Sequence, residues 1–525
     1  MITVELELHQ RVRAVVLSDL AAFDKRREVL RLVQEALETA GTFYRSRDTR
    51  AFFFDRVDRR LLDLEQQPFQ YLLSTVSGLS ATETIFKFVA DRLQAEAHRA
   101  APLVDIHTLA HWDPATGRLM ISDGGGGLWV HEEGDEWRSA HNGDGGLFLT
   151  DADATPWIPE FGANGHSLQW FLDGFLFGDG DDLSRQDQQT LLLMFLLQQF
   201  FPARRRTRVV PALLGPQGSG KTTGQRRTGH LLIGPRFDVT ALHRDREDAF
   251  VAAVTNRTVC AIDNADSRVN WLPDALATYA TGTRYRMRRL YTTNDEVSYE
   301  PRAVLMLSSR DPQFNRPDVA ERLLPFRFER PTRYEPEGPL FDALAARRGA
   351  IWGQLLLRLG QIADGLAETP CPRLQFRMAD FATFGWAVSR ISTGDATEWE
   401  RLLGRLERAQ AEFASDGDGL VEALRVLLER EGSIGPIAIA DFFKRAAQVA
   451  EEEHLPFPRN AIGFGKKLSS MRRVLEVELA VRLHEQRGLG RRRTVTLTPK
   501  PTRAGEGRDG REGVSETVSK SRTEP

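Results

Sequence analysis

Residues 209–222 read VVPALLGPQGSGKT, an uncharged run leading straight into the pattern G-x-x-x-x-G-K-[ST]. The run Val209 to Leu214 has the composition of a strand covered on both faces. The glycine-rich turn after it opens a helix. A strand, a tight turn and a helix N-terminus aim several backbone N–H groups at one point, and a polyphosphate fills it. Gly215, Gly218 and Gly220 let the backbone approach the phosphates closely, as only residues without a Cβ can. Pro216, Gln217, Ser219 and Thr223 complete the cradle. Lys221 would reach the β- and γ-phosphates, and the Thr222 hydroxyl would hold Mg²⁺. In a chain with 43 glycines the strand before and the Lys-Thr after set this match apart from chance. ATP with Mg²⁺ is the expected ligand.

Further on, Thr258-Val259-Cys260-Ala261-Ile262-Asp263-Asn264 reads as a buried strand whose carboxylate emerges beside the loop. Asp263 would complete the Mg²⁺ site begun by Thr222. A third strand, Arg302 to Leu307, ends in Ser308-Ser309-Arg310. Ser309, or Ser308, is the candidate for a polar group between the γ-phosphate and the attacking water; a plain strand-to-loop turn is the alternative. Arg322, with Arg316 as second choice, could reach a γ-phosphate held by a neighbouring subunit of a ring. A helix-surface salt bridge is the competing reading.

Between the second and third strands, Thr281 to Tyr291 is basic and interleaved with aromatics. It predicts a hairpin projecting from the core. Arg284, Arg286, Arg288 and Arg289, with Tyr285 and Tyr291 among them, suit a phosphate backbone and stacked bases. A merely solvated hairpin stays open.

Bulk numbers bound the rest. At 525 residues, 41% hydrophobic and 27% charged, the chain has material for about three soluble domains. No apolar run approaches the roughly 20 residues of a membrane span. The start, Met1 to Leu8, lacks a signal-peptide pattern. Two cysteines, Cys260 and Cys371, build neither a disulfide framework nor a four-ligand zinc site. The expected location is cytoplasmic. The net charge of −3 says nothing about nucleic acid, but Phe457 to Lys500 holds eleven Lys or Arg against three Glu. Only eight of the 70 basic residues are lysine, which a GC-rich coding genome would explain.

Val4, Leu6 and Leu8 alternate like a short strand, and helical spacing follows to about residue 40. From 41 to 165, hairpin signals surround a helix around Ala81–Ala97; the glycine runs at 124–127 and 143–146 read as turns rather than second phosphate loops. Residues 166–202 read as helices, with the acidic run 179–182 as a solvated connector. In the basic C-terminal stretch a helix begins near Ala438 and a second opens at Asn460, bearing Lys466, Lys467, Arg472 and Arg473. Strands at Leu475–Leu483 and Thr494–Leu497 would flank a basic turn containing Arg491 and Arg492. That is a winged helix-turn-helix, with the wing placed for phosphates; a small basic domain that binds protein is the alternative. Beyond Lys500 the composition predicts disorder. No zinc site and no paired strand-end carboxylates support primer synthesis.

Together, GPQGSGKT, AIDN, ATGTRYRMRRLY with Pro301 downstream, LMLSSRDP and DVAERLLPF resemble the superfamily-three helicase ATPases, in the phage, plasmid and poxvirus primase-helicase branch. The order, including Arg377 to Phe381, is similar to ATP-binding proteins of prophages and integrative elements. The resemblance covers about 205–330 specifically, and 41–200 and 411–498 loosely. It implies an α/β fold: a P-loop NTPase (AAA+-like) core, an N-terminal mixed α+β helicase-associated region and a C-terminal winged helix. The expected divisions are 1–40 (helical), 41–202 (helicase-associated), 203–335 (ATPase core), 336–410 (helical extension), 411–499 (winged helix) and 500–525 (disordered tail). It further implies a homo-oligomeric ring, usually a hexamer, coupling ATP hydrolysis to movement along single-stranded or forked DNA, with no membrane. Two positions depart from the pattern. Asn264 stands where a second carboxylate usually acts as general base, and an amide orients water without accepting its proton. Ser309 replaces the sensor asparagine. Slow hydrolysis, or substitution by Asp266, follows, and an ATP-gated DNA-binding switch is the alternative function; a metabolic kinase indifferent to DNA is the third reading.

Overall fold

Five short strands, four of them largely apolar, decide the architecture. Val210–Leu214 (β1), Thr240–Ala241 (β2), Val259–Asp263 (β3), Val304–Ser309 (β4) and Leu323–Arg327 (β5) form one sheet in the order β2-β3-β4-β1-β5. Every neighbouring pair is parallel, with Leu213 opposite Ser308 and Ile262 opposite Leu307. The central strands are buried almost throughout, which is why they read as unbroken apolar runs. Helices Lys221–Leu232, Glu247–Asn256 and Leu272–Ala280 make the crossovers. The sheet orders its strands so that the loop after β1 and the end of β3 lie one strand apart, with β4 between them.

This computed structural model describes residues 2–500 apart from 49, 163–164, 266–268, 289–295, 313, 371 and 488–492; for 2–6, 287, 288, 296–298 and 487 it describes the backbone alone. The chain divides into two units, residues 1–416 and 417–525.

In the first unit, helices Ile2–Leu17 and Ala22–Ala40 precede an antiparallel sheet of Gly41–Arg45, Ala51–Asp55 and Arg60–Asp63. The strand expected at Val4–Leu8 is instead helix: Leu8 and Val12, four residues apart, form its buried pair, and three alternating residues are too few to tell period 2 from 3.6. The helix expected at Ala81–Ala97 runs Thr84–Ala100, and a second, Gln67–Ser77, precedes it. A four-stranded antiparallel meander follows over 110–141, with Gly117, Gly124, Gly126 and Gly134 at positive φ in its turns and Gly143 and Gly145 at positive φ in the turn after it.

The N-terminal sheet is locked to the core by buried charge. Arg302, just ahead of β4, pairs with Asp48 at 2.7 Å, with side-chain exposures of 13% and 3%. Alongside, Arg50 Nε donates to Asp63 Oδ2 at 2.8 Å, and Arg50 Nη1 donates to the Thr255 carbonyl at 3.4 Å. A long helix, Glu337–Leu366, then lies along the core, where its Trp352 stacks on Trp157 at 3.7 Å. Helices Ala379–Thr393 and Thr397–Ser415 close the unit.

The second unit has its own core around Leu424, Phe442, Phe464, Leu475 and Val495. Helices Gly419–Glu431, Ile439–Glu452, Ala461–Ser470 and Arg472–Glu478 accompany a three-stranded antiparallel sheet, Ile434–Ala438 / Arg493–Pro499 / Val481–Arg487. Asn460 caps the third helix, accepting from the Gly463 N–H at 2.8 Å. The strand expected at Leu475–Leu483 splits here: helix continues to Glu478, and Ala480 at φ 50° turns the chain before the strand begins at Val481.

Candidate nucleotide site and basic surfaces

The helix Lys221–Leu232 starts where the glycine-rich loop ends. Its first-turn N–H groups have no partner within the helix and face the loop. Two glycines are required by geometry. A Cβ at Gly215 (φ 150°) would sit 2.3 Å from the Phe328 carbonyl oxygen, and one at Gly218 (φ 77°) 2.9 Å from the Tyr334 Oη. Lys221, 7% exposed, folds over the loop and donates to the Gly215 and Pro216 carbonyls at 2.7 and 2.8 Å and towards Ser219 Oγ at 3.4 Å.

Thr222 Oγ1 lies 3.1 Å from both carboxylate oxygens of Asp263, at the end of β3. Ser308 Oγ also donates to Asp263 Oδ1, and it accepts from the Asn264 N–H at 3.1 Å. Successive residues on a strand face opposite ways, so the hydroxyl that reaches Asp263 from β4 is that of Ser308 and not that of Ser309. Asn264 holds a left-handed backbone, φ 53°, a conformation asparagine tolerates better than most residues. A hydroxyl and a carboxylate brought together at the mouth of a glycine cradle are hard oxygen donors, and they fit Mg²⁺. Phe328 and Tyr334 leave no room for a Cβ at Gly215 or Gly218, and the backbone N–H groups of a glycine turn that opens a helix are the donor set that fits a polyphosphate.

Around this centre lie residues that the motifs did not flag. Thr223 Oγ1 donates to Glu337 Oε1 at 2.8 Å, and Arg226 bridges Glu337 and Asp238 at 3.1 and 2.9 Å. The Asp238 hydrogen bond holds the Arg226 guanidinium above its ordinary pKa. Arg330 Nε donates to the Gln217 carbonyl at 2.8 Å. An arginine and a tyrosine among prolines after a strand (Arg330-Pro-Thr-Arg-Tyr334) were the visible signal for this segment.

The two arginines expected at a subunit boundary differ in presentation. Arg316, 47% exposed, is held by Asp318 and Asp274, each at 2.9 Å, which raise its pKa. Arg322 is 11% exposed; its Nη1 donates to the Asp318 carbonyl at 2.6 Å, and burial lowers its pKa. Burial makes Arg322, the first choice from sequence, the less accessible of the two.

The two strands of the expected hairpin are present, as Tyr285–Arg288 paired antiparallel with Glu296–Tyr299; its tip, 289–295, falls outside the described residues. Tyr285 is not available to stack on a base: it is 6% exposed and its hydroxyl donates to the Ala275 carbonyl at 2.7 Å. Its alternation with Arg284 and Arg286 places it on the inward side of the strand. Arg286 is exposed, and Arg284 lies 3.9 Å from Glu300. The Arg288 side chain, Arg289 and Tyr291 fall outside the described residues, as does Asp266. In the second unit Lys466 and Arg473 are exposed, whereas Lys467 pairs with Asp418 at 2.7 Å and Arg472 with Glu476 at 3.2 Å. Arg491 and Arg492 lie outside the described residues. Among the described residues no helix is long and apolar enough to cross a membrane, and no group of three His, Cys, Asp or Glu could hold a metal ion.

Residues 182–396 match the family model of the actinomycete integrative conjugative element replication protein. That stretch contains the whole parallel sheet and the glycine-rich loop Gly215–Thr222. Among solved structures, the apo C-terminal region of NrS-1 is 11% identical, covering 89% of this chain and 98% of its own at a TM-score of 0.39. The JCV helicase, solved with a substituted N-phenylacetamide bound, is 14% identical over 47% of this chain and 71% of its own, at a TM-score of 0.21. No curated protein matches. Over its central sheet the chain is thus similar to replication proteins of mobile elements.

Proposed function

We propose that the chain is an ATP-dependent DNA translocase or helicase serving replication of a mobile genetic element. On this reading residues 203–335 are a P-loop, AAA+-like ATPase core, 41–202 the helicase-associated region, 336–410 a helical extension and 411–499 a winged helix. The observation that carries it is Thr222 lying 3.1 Å from both oxygens of Asp263, across one strand from a loop held by Lys221. Lys221 and the loop N–H groups would bind the phosphates, and Thr222 and Asp263 would hold Mg²⁺, which when bound neutralises phosphate charge. Ser308, through its bonds to Asp263 and the Asn264 N–H, fixes both strand ends and takes precedence over Ser309 as the polar group beside the γ-phosphate; Asn264 remains a water-positioning candidate. Arg316, being the more exposed, takes precedence over Arg322 as the residue acting across a subunit boundary of a ring, taken as a hexamer. The exposed arginines of the hairpin and the second unit would bind DNA.

A second reading, an ATP-gated DNA-binding switch, is favoured by Asn264, since no amide accepts a proton from water at neutral pH. Steady-state ATP hydrolysis with and without single-stranded or forked DNA separates the two. The motor predicts DNA-stimulated turnover abolished by Lys221→Ala and by Arg316→Ala. Tight ATP binding with negligible turnover in every DNA state selects the switch. Failure to bind ATP at all overturns both.

A further inference from the structure

Ten residues, Phe328 to Glu337, run alongside the phosphate loop from end to end and touch it in sequence order. The Phe328 carbonyl abuts Gly215, and the Phe328 N–H donates back to the Leu214 carbonyl at 2.7 Å. Arg330 holds the Gln217 carbonyl, Tyr334 stands over Gly218, and Glu337 takes the Thr223 hydroxyl. On the other side, Leu176 Cδ1 lies 3.1 Å from where a Cβ on Gly220 would be. The Leu176 carbonyl accepts the Glu329 N–H at 3.0 Å, so the two walls are joined below the loop.

Two side chains of this strap make little use of their chemistry among the described residues. Tyr334 is 70% exposed although it stands against a glycine whose Cβ would approach its hydroxyl to 2.9 Å. An aromatic ring left in water beside a phosphate cradle is an apolar, flat surface awaiting a flat partner. Arg330 has no carboxylate partner among the described residues and spends only Nε on the protein, at a loop carbonyl. A guanidinium without a counter-charge beside a phosphate site matches phosphate oxygens in charge and fork geometry.

We infer that Tyr334 is the nucleobase contact of the loop and that Arg330 is a second phosphate cation supplied by the same chain. The ligand class is therefore a nucleoside triphosphate read at both ends, its aromatic base against Tyr334 and its phosphates against the loop. This rests on the nucleotide-binding reading above and goes beyond it, because a phosphate loop alone does not distinguish ATP from bare polyphosphate. Gly218 fits the same role: a side chain there would push the ring off the loop.

The test compares ATP with inorganic tripolyphosphate, both with Mg²⁺, by equilibrium titration of the full chain and its variants. Base stacking on an aromatic is typically worth enough to change affinity by about tenfold when truncated to alanine. Tyr334→Ala is expected to weaken ATP about tenfold and leave tripolyphosphate unchanged, while Tyr334→Phe keeps the ATP affinity. Arg330→Ala is expected to weaken both ligands alike. The inference is overturned if Tyr334→Ala leaves the ratio of the two affinities as it was, whether both hold or both fall. A wild-type chain that binds ATP and loses it in Lys221→Ala, with Tyr334→Ala indifferent, sinks this assignment alone. A wild-type chain that binds neither ligand sinks the nucleotide reading and this one with it.

Discussion

Removing one member of the Asp48–Arg302 pair should loosen the joint between the N-terminal sheet and the core. Asp48 is 3% exposed and Arg302 13%, with 2.7 Å between them, so neither charge can turn to water when its partner is lost. Breaking such a buried pair from one side costs about 3–5 kcal/mol, whereas replacing both members by uncharged groups costs far less. Asp48→Asn leaves the Arg302 guanidinium, already pushed below its ordinary pKa by burial, without its closest carboxylate. Arg302→Met strands Asp48 beside Ser46. Native-state hydrogen exchange on Ala51–Asp55 and Val304–Ser309 reads the effect locally, avoiding the assumption that a chain of this size unfolds in one step. Each single substitution should lower the opening free energy of both strands by about 3–5 kcal/mol. The double variant should recover at least about 2 kcal/mol of the summed loss, as residues in contact do in a mutant cycle. Single-variant losses under about 1 kcal/mol, the range of exposed ion pairs, or strict additivity in the double variant, would refute the claim that this pair is the joint.

Three other outcomes are expected. Ser308→Ala should reduce ATP turnover by about tenfold or more while Ser309→Ala does less, because the Ser308 hydroxyl alone ties Asp263 to the Asn264 backbone; a hydrogen bond to a charged group is worth about 1.5–3 kcal/mol. Equal kinetics in the two variants would count against the assignment. In the second unit, Lys466→Ala should weaken DNA binding and lower its salt dependence more than Lys467→Ala, since Lys467 is engaged by Asp418; fluorescence anisotropy across a salt series measures this, and the reverse order would contradict it. Finally, burial pushes His107 down to about 3 from an ordinary 6.5, with His111 and Arg302 adding to the effect. Its folded pKa is depressed, so its neutral form contributes stability that is complete above pH 6.5 and is lost as pH falls towards 3. His107→Gln should flatten the acid limb of a melting-temperature profile in that window; an unchanged slope would show that His107 does not contribute to it.

The parts legible from sequence were those encoded by adjacent residues. The glycine-rich motif is eight residues long and its geometry is local, so GPQGSGKT announced strand, turn and helix together. The approach of Asp263 to Thr222 followed from one further fact, that a buried strand ending in a carboxylate delivers it to the same sheet edge. Choices between neighbours were harder. Ser308 and Ser309 are equivalent as letters, and only the pleat of β4, set by its pairing with β1 and β3, decides which hydroxyl faces Asp263. Tyr285 read as a stacking residue because the inward side of a hairpin is invisible until its partner helix is known. Arg330 and Tyr334 went unread because their contacts with the loop cross more than a hundred residues of chain. At the N-terminus, alternation over Val4–Leu8 was outvoted by tertiary packing of Leu8 and Val12.

Strand β4 is a short, stiff rod with something attached at each end. Arg302 and its carboxylate partner grip it just ahead of Val304, and Ser308 grips Asp263 at the far end. Six residues of extended backbone span about 20 Å, with no loop in between to absorb slack. The joint to the N-terminal sheet and the carboxylate beside the glycine-rich loop therefore sit at opposite ends of one strand, so a shift at either end is passed along it to the other.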